Sequence, residues 1–330
     1  MEYEVVNVIK RGKNNTRYLV EGSKGEYYSI LVSSDRYSIG EKFSTEKTLE
    51  PAKQEWIVKY NSIENSYPRK RMIKHLIDYK ENILNEHSQG THRSNKYPHI
   101  FDAREKNLIN GKGYDKELRD WMCSLKGELR DDFSYMTSSQ AFAVNFFTPL
   151  IVEDQFNLLS DSFKDFVFHE SGFEKVMDPN DEKTQFDFYA CSEDKSNSFS
   201  VEVKYSESEF GYANEDTRHL DKFSRFYRDY MAELTCVGEK DWQFFEFYQV
   251  WRNLIYTVIN KGQHVCFLFP AFRKDLKQVL DSIILKCKDE YKPYFHVIIA
   301  DDIVNKIIAS DSDMKPYYEA FKQKYLDIFE

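Results

Sequence analysis

Two acidic residues and a lysine occur on neighbouring predicted strands, at spacings that could serve the hydrolysis of a phosphodiester. The strand QFDFY carries Asp187, and the next strand, SVEVKY, carries Glu202 and Lys204. A turn centred on Asp194 and Lys195 places Asp187 directly opposite Glu202, and directly opposed residues share a sheet face. Side chains alternate along a strand, so Lys204 lies on the same face as Glu202. The sequence therefore predicts that these three side chains converge.

The chemistry of such a group is that of a divalent cation beside a phosphate. Two neighbouring carboxylates can hold Mg²⁺ through oxygen ligands while water and a phosphate fill its other positions. The metal lowers the pKa of a bound water, and a nearby lysine can orient that water or stabilise developing negative charge. The alternative is a cross-strand salt bridge on a solvent-exposed sheet face, since surface pairs of this kind are common.

The strands that carry these polar residues are otherwise apolar. We expect their apolar neighbours to point the other way, into the core. These neighbours are Phe186, Phe188, Val201 and Val203.

The elements that lead to these strands begin with two helices. Apolar residues recur at helical spacing from about Asp115. In the next segment, TSSQAFAVNFFTPLI, Thr137 and Gln140 have the spacing of a capping box, so a helix should begin there and end before Pro149. Strand candidates VFHESGFEKV, TQFDFYA and SFSVEVKYS follow, separated by turn-rich segments.

Helices and buried strands alternate after the acidic pair. We expect helices at about 217–234 and 241–260, then the strand HVCFLFP, a helix near 272–289 and the strand FHVIIA. The order helix, three strands, helices, strand, helix, strand predicts an α/β fold with a mixed sheet flanked by helices.

The chain is predicted to contain three regions. Residues 1–48 alternate apolar and polar positions between turn segments, which predicts a small N-terminal β-domain, either a barrel or a meander. Residues 49–94 form a linker region in which PRKRMIKHLIDYKENIL is helical and SQGTHRSNKYPHIF is a loop. Residues 95–330 form the α/β domain.

Composition limits how the chain could meet nucleic acid. It has 330 residues, with 46 Lys and Arg against 55 Asp and Glu, and a formal charge of −9. Bulk electrostatics therefore do not draw it to nucleic acid or to an anionic membrane, and contact with nucleic acid needs a local basic patch or a bound cation. The five cysteines are scattered, which argues against a disulfide framework or a structural zinc.

Other classes of protein lack their starting motifs. The chain opens without a signal-peptide pattern, and no apolar run approaches the roughly 18 residues of a membrane span. P-loop, GxSxG and HExxH motifs are absent. We therefore expect a cytoplasmic protein that does not contact membranes.

With Asp187 on one strand and Glu202, Val203 and Lys204 on the next, the pattern resembles the PD-(D/E)XK nuclease superfamily, which has the restriction-endonuclease-like fold. The wider context resembles the bacterial PGN-type subgroup over roughly residues 95–305. Its segments are SSQAFAVNFFTPL, FEKV, TQFDFYA, VEVKYSESEFG and FYQVWRNL. The sequence departs from the name-giving motif at Phe186, which stands where that motif has proline.

The resemblance implies a Mg²⁺-dependent deoxyribonuclease, with Mn²⁺ as a substitute metal. Asp187 and Glu202 are then metal ligands together with Val203, and Lys204 lies at the scissile phosphate. Glu174, in the strand before Asp187, could supply a third acid, although a solvated strand charge explains it equally well.

Two residues of the predicted helix 241–260 are further candidates. Gln249 begins a polar stripe at helical spacing that continues through Asn253, and related nucleases use a glutamine on this helix to orient substrate. We select Gln249 for the site and Arg252 for contact with nucleic acid. The alternative is an ordinary solvated helix face.

The dense basic cluster around Lys70 and Arg71 could grip phosphates, although a solvated helix face also accounts for it. We expect DNA as the partner, in restriction or phage defence. A homodimer or a partner protein of a defence system is also compatible with the sequence. The competing hypothesis is a module on the same fold that binds nucleic acid or serves as a scaffold without catalysis.

Overall fold

The computed structural model describes residues 2–11, 15–24, 26–33, 37, 42–46, 49–53, 56–57, 69–125, 127–177 and 183–328. Contacts divide the chain into two compact units, residues 1–70 and 71–330. The predicted region boundaries at residues 48 and 94 stay predictions.

The first unit contains an antiparallel five-stranded sheet in the order β4-β1-β2-β3-β5. Alternation builds it, because Tyr3, Val5, Tyr18 and Val20 pack in one apolar cluster while Val6 and Leu19 pack in another. The predicted N-terminal β-domain is thus present as an antiparallel sheet. Its strands are β1 (Glu2–Arg11), β2 (Asn15–Gly22), β3 (Tyr27–Ser33), β4 (Lys42–Ser44) and β5 (Glu50–Pro51).

The second unit is built on a mixed five-stranded sheet in the order β12-β11-β10-β9-β8. The pairs β8/β9 and β9/β10 are antiparallel, whereas β10/β11 and β11/β12 are parallel. A two-stranded sheet, β6 with β7, precedes it. The strands are β6 (Gly90–His92), β7 (Asn95–Tyr97), β8 (Glu170–Met177), β9 (Thr184–Cys191), β10 (Ser198–Val203), β11 (Gln263–Phe269) and β12 (Phe295–Ile299).

Helices supply the apolar cover of this sheet, and β10 and β11 are buried along their whole length. The predicted mixed α/β fold with flanking helices is confirmed. In the described residues the α-helices are α1 (Arg69–Asp78), α2 (Asp115–Ser124), α3 (Ser139–Val152), α4 (Thr217–Lys222), α5 (Arg228–Leu234), α6 (Tyr248–Leu254), α7 (Tyr256–Ile259), α8 (Lys274–Ile284), α9 (Ala300–Ile308) and α10 (Lys315–Tyr325). Among these residues no helix combines the length and the apolar character needed to span a bilayer.

Helix α3 departs from the sequence prediction at both ends. Its N-cap is Ser138, whose hydroxyl accepts a hydrogen bond from the Ala141 N–H, rather than Thr137. It also continues through Pro149 to Val152. Proline has no N–H to give to the carbonyl four residues earlier. The Tyr317 hydroxyl of α10 donates to that carbonyl, on Asn145, at 2.9 Å, and so replaces the missing bond.

Two other expectations are corrected, and one region had no prediction. The segment predicted as a loop contains the β6/β7 hairpin. Regular α-helix begins at Tyr248 rather than near 241, because Gln243 has a φ of 51°, which a helix cannot accommodate. The C-terminal helices α9 and α10 were not anticipated, although α10 buries Tyr317, Tyr318 and Phe321 completely.

Candidate active site

Three carboxylates lie in a row across β8, β9 and β10. Phe173 pairs with Phe188 and Lys175 with Phe186, so the residue between them, Glu174, lies opposite Asp187. On the other side Val201 pairs with Phe188, and one further step along the register brings Glu202 opposite Asp187. The predicted register of β9 with β10 is therefore confirmed as far as Phe188 and Val201, one step before Asp187 and Glu202.

All three carboxylates are withdrawn from solvent, with exposed fractions of 6% for Glu174, 6% for Asp187 and 4% for Glu202. Lys204 is 7% exposed. The alternative of a solvent-exposed salt bridge is therefore wrong, because both faces of the sheet are covered. Burying several like charges together is costly unless other groups compensate them.

Glu174 reaches the site through an unusual backbone conformation. Its φ is 54°, a left-handed value that is uncommon for residues other than glycine. One carboxylate oxygen accepts a hydrogen bond from Gln140 Nε2 at 2.6 Å, and the other lies 3.6 Å from the Arg130 guanidinium. Burial raises the pKa of Glu174, while Arg130 and Gln140 act in the opposite direction.

Asp187 lies where β9 and β10 separate. Its Oδ2 accepts a hydrogen bond from the Val203 N–H at 2.7 Å, and its Oδ1 is 3.6 Å from Arg130. Burial, followed by the negative charges of Glu202 and Glu174, raises its pKa well above the usual range. The Val203 N–H thus holds the carboxylate in place, and the negative charges around it attract a cation.

The separation of the strands also changes the direction of one neighbour. Phe188 stacks on Phe147 of α3 with ring centroids 4.0 Å apart, as expected for a core residue. Phe186 instead contacts Tyr256 of α7, in an apolar cluster that does not include Phe188. The expectation that both point into the same core is wrong, because the pairing of β9 with β10 ends at Phe188 and Val201, and Phe186 lies beyond that point.

Glu202 is the most heavily contacted of the three carboxylates. Its Oε1 accepts a hydrogen bond from Gln249 Nε2 at 2.6 Å and lies 3.0 Å from Lys204 Nζ. Its Oε2 accepts one from Asn253 Nδ2 at 3.1 Å. Gln249 and Asn253 lie on the same face of α6, so this helix fixes both oxygens of the carboxylate.

The ammonium of Lys204 is held beside Glu202 at the end of β10. Burial disfavours its charged form, but the surrounding carboxylates, led by Glu202, outweigh burial and raise its pKa. Glu207, which follows Lys204 by three residues, accepts hydrogen bonds from the Tyr205 N–H and the Ser139 hydroxyl. These bonds tie the segment after Lys204 to the start of α3.

The three predicted basic contacts occupy different surroundings. The Arg252 guanidinium lies over the Tyr248 ring, 5.6 Å from its centroid, next in sequence to Asn253. Lys70 belongs to the first unit and forms an ion pair with Glu21 there. Arg71 is exposed at the start of the second unit. Their contact with nucleic acid stays a prediction.

Sequence reasoning missed Arg130 and gave little weight to Gln140 and Asn253. Arg130 stands in a turn-rich segment between α2 and α3 and has no motif around it. Gln140 was explained as a helix cap, but its side chain bonds to Glu174 instead. Asn253 could have been found, because it lies one helical turn after Gln249 in the polar stripe.

The donor set fits a hard divalent cation. Asp187 and Glu202 offer carboxylate oxygen atoms, which Mg²⁺ prefers over nitrogen and sulfur. Asn253 Oδ1, beside Glu202, is buried without a hydrogen-bond partner among the described residues. Over the same residues, no group of three or more His, Cys, Asp or Glu side chains has the spacing of a metal site. The protein donors of the site are therefore oxygen atoms of carboxylate and amide side chains.

Comparison with known proteins places the chain in a family. The model of a family described as "Restriction Endonuclease associating with ARP" matches residues 68–326, which is most of the chain and includes every carboxylate of the site. Searches of curated proteins and of solved structures gave no match. With its mixed sheet and flanking helices consistent with a restriction-endonuclease-like fold, the chain belongs to the restriction endonuclease family associating with ARP.

Proposed function

We propose that this protein is a Mg²⁺-dependent endodeoxyribonuclease of the PD-(D/E)XK type that acts in restriction or phage defence. The observation that supports this most directly is the row formed by Glu174, Asp187 and Glu202, with Lys204 paired to Glu202 at 3.0 Å. Mn²⁺ is expected to substitute for Mg²⁺.

The proposed metal ligands are Asp187, Glu202 and the carbonyl of Val203. A bound Mg²⁺ would neutralise phosphate charge and lower the pKa of a coordinated water. The contribution of the chain is to hold the ligands in place, since each carboxylate is fixed by a neighbour before any metal binds. Val203 fixes Asp187, while Gln249 and Asn253 fix Glu202.

Lys204 is proposed to stabilise negative charge at the scissile phosphate. Its raised pKa keeps it cationic at neutral pH. A buried cation stabilises a developing negative charge more strongly than one in water, because the surroundings screen it less. Gln249, which is only half-buried, is proposed to orient substrate as well as Glu202.

DNA is the proposed substrate, and Arg252, Lys70 and Arg71 are the proposed phosphate contacts. Because the chain carries a net charge of −9, its DNA binding would depend on such local basic residues and on the metal. We also propose, from the family description alone, that the protein works together with an ARP partner. Copurification of a tagged chain with ARP would test this association.

Cleavage assays on the full chain test the proposed activity. Purified protein is incubated with supercoiled, linear and single-stranded DNA in Mg²⁺, Mn²⁺ or EDTA. We expect cleavage that requires the metal and is abolished by Asp187→Asn, Glu202→Gln or Lys204→Ala. The matched controls are Asp281→Asn and Lys277→Ala, which change the same charge types in an exposed ion pair on α8.

A measurement of metal binding distinguishes the proposed nuclease from a non-catalytic module on the same fold. A cation that binds only the folded state raises the melting temperature, and Glu202→Gln should remove that increase. Cleavage that survives in Asp187→Asn and Lys204→Ala would refute the assigned site. A wild-type protein that binds DNA but neither binds metal nor cleaves would support the competing hypothesis of a non-catalytic module.

A further inference from the structure

Arg130 is the cation that faces Glu174 and Asp187, the two carboxylates of the row that lie on β8 and β9. Its Nη2 lies 3.6 Å from Glu174 Oε2 and 3.6 Å from Asp187 Oδ1. These distances are those of ion pairs and exceed the range of a good hydrogen bond. Arg130 therefore neutralises both carboxylates without being locked to either one.

The main chain of Arg130 is fixed although its side chain is not. The Arg130 N–H donates to Gln140 Oε1 at 3.0 Å, and Gln140 Nε2 donates to Glu174 and to the Glu128 carbonyl. Gln140 on α3 thus holds both the carboxylate of Glu174 and the main chain from which the Arg130 side chain extends. The side chain itself is 47% exposed, so it can leave the carboxylates without disrupting the core.

Charge on the site explains what Arg130 does in the absence of metal. Glu174, Asp187 and Glu202 carry up to three negative charges, and among the described residues Lys204 and Arg130 are the cations that form ion pairs with them. A divalent cation bound at Asp187 would take over the neutralisation that Arg130 supplies. Two cations competing for one carboxylate repel each other across a few ångströms.

We infer that Arg130 is a resident counter-ion of the site, which a divalent cation displaces and which then contacts a phosphate of the substrate. This inference rests on the proposed function and deepens it. It makes Arg130 a competitor of the metal when substrate is absent and a partner of the substrate when metal is present. Its removal should affect the two stages in opposite directions.

The test measures Mn²⁺ binding to the full chain by calorimetry without DNA, together with the melting temperature. In Arg130→Gln we expect Mn²⁺ to bind about tenfold more tightly than in the wild type, the effect of removing one unit charge that lies a few ångströms away on a half-exposed, solvent-screened side chain. Arg130→Lys keeps the charge and should bind Mn²⁺ within about twofold of the wild type. Arg225→Gln, in an exposed ion pair with Asp221, is the control.

DNA cleavage at saturating Mn²⁺ tests the second stage, in which Arg130 contacts a phosphate of the substrate. Arg130→Gln should raise the KM for DNA despite the tighter metal binding, and Arg130→Lys should restore part of the loss. Equal or weaker Mn²⁺ binding in a folded Arg130→Gln overturns the inference while leaving the proposed metal site intact. If Arg130→Gln does not fold, Mn²⁺ binding in Arg130→Lys more than tenfold from the wild type overturns it instead. Absence of Mn²⁺ binding in the wild type overturns the proposed function and the inference together.

Discussion

The carboxylate of Asp187 accepts a hydrogen bond from the main-chain N–H of Val203 at 2.7 Å, at the point where the pairing of β9 with β10 has ended at Phe188 and Val201. A side chain here takes the place of a main-chain partner. The Val203 N–H at this opening therefore has a hydrogen-bond partner, and the second oxygen of Asp187 lies 3.6 Å from Arg130.

Asp187→Asn should increase the stability of the metal-free protein. The amide keeps an oxygen acceptor for the Val203 N–H and removes a buried charge that Glu202 and Glu174 repel. We expect the free energy of unfolding in EDTA to rise by about 0.5–2 kcal/mol, as often happens when a functional site is neutralised. Urea unfolding measures this, with Asp281→Asn as control, and a clear loss of stability would contradict the electrostatic argument.

At Glu174 the strain of the backbone can be measured separately from the charge of the side chain. A φ of 54° favours glycine over alanine, whereas an ordinary strand position favours alanine. Glu174→Gly should therefore be more stable than Glu174→Ala by about 1 kcal/mol. Both variants lack the carboxylate, so their difference isolates the backbone.

The same two substitutions, to glycine and to alanine, are made as a control at Lys175, an ordinary position of the same strand. Lys175→Gly and Lys175→Ala should show the usual order, with alanine more stable. A Glu174→Ala protein more stable than Glu174→Gly would mean that the left-handed conformation relaxes at no cost.

The sequence was sufficient to predict the register that brings Asp187 opposite Glu202, because a short turn fixes the register of the strands that it joins. It was also sufficient for the order of strands and helices around the site, since the apolar runs are long. It could not predict Arg130, whose role depends on a turn that brings it back to β8 and β9. Contacts of this kind depend on tertiary structure and leave no periodicity in the sequence.

Gln249→Ala should weaken catalysis more than folding. Gln249 holds Glu202 at 2.6 Å, and the loss of a group that orients a ligand typically costs about 10–100-fold in metal affinity or activity. Asn253 still bonds the other oxygen, so Glu202 stays in the site. Mn²⁺ titration and cleavage rates test this against Gln243→Ala, which changes an exposed glutamine. Wild-type values for both would show that Asn253 alone fixes Glu202.

The failure of the sequence at Pro149 has a physical cause that can be tested. A proline normally ends or kinks a helix, and the prediction followed that rule. The helix continues because a tyrosine far away in sequence supplies the missing donor to the Asn145 carbonyl. Tyr317→Phe should leave that buried carbonyl unpaired along the helix and cost about 1–3 kcal/mol of stability.

A double-mutant cycle identifies the origin of that cost. Pro149→Ala restores an N–H that can donate to Asn145, so Tyr317→Phe should be less damaging in the Pro149→Ala background. We expect a coupling of at least about 0.5 kcal/mol, as for residues that share a partner. Additive effects in urea unfolding would show that the tyrosine hydroxyl does not substitute for the proline N–H.

A buried pair of histidines should make stability depend on pH. His264 Nδ1 and His296 Nε2 are 2.8 Å apart, between β11 and β12. Burial lowers the pKa of each to about 4, and for His296 the neighbouring His264 contributes as well. A histidine in the unfolded chain has a pKa of about 6.5, as in model peptides. Between about pH 4 and pH 6.5 the unfolded state therefore binds more protons than the folded state.

The stabilisation from neutral histidines is therefore complete above about pH 6.5 and is lost as the pH falls towards about 4. Each histidine should contribute a slope of up to about 1.4 kcal/mol per pH unit within that range. His264→Phe keeps an aromatic ring beside Phe163 and should flatten the dependence measured by urea unfolding at a series of pH values. Equal slopes in His264→Phe and the wild type would show that His264 titrates alike in the folded and unfolded states.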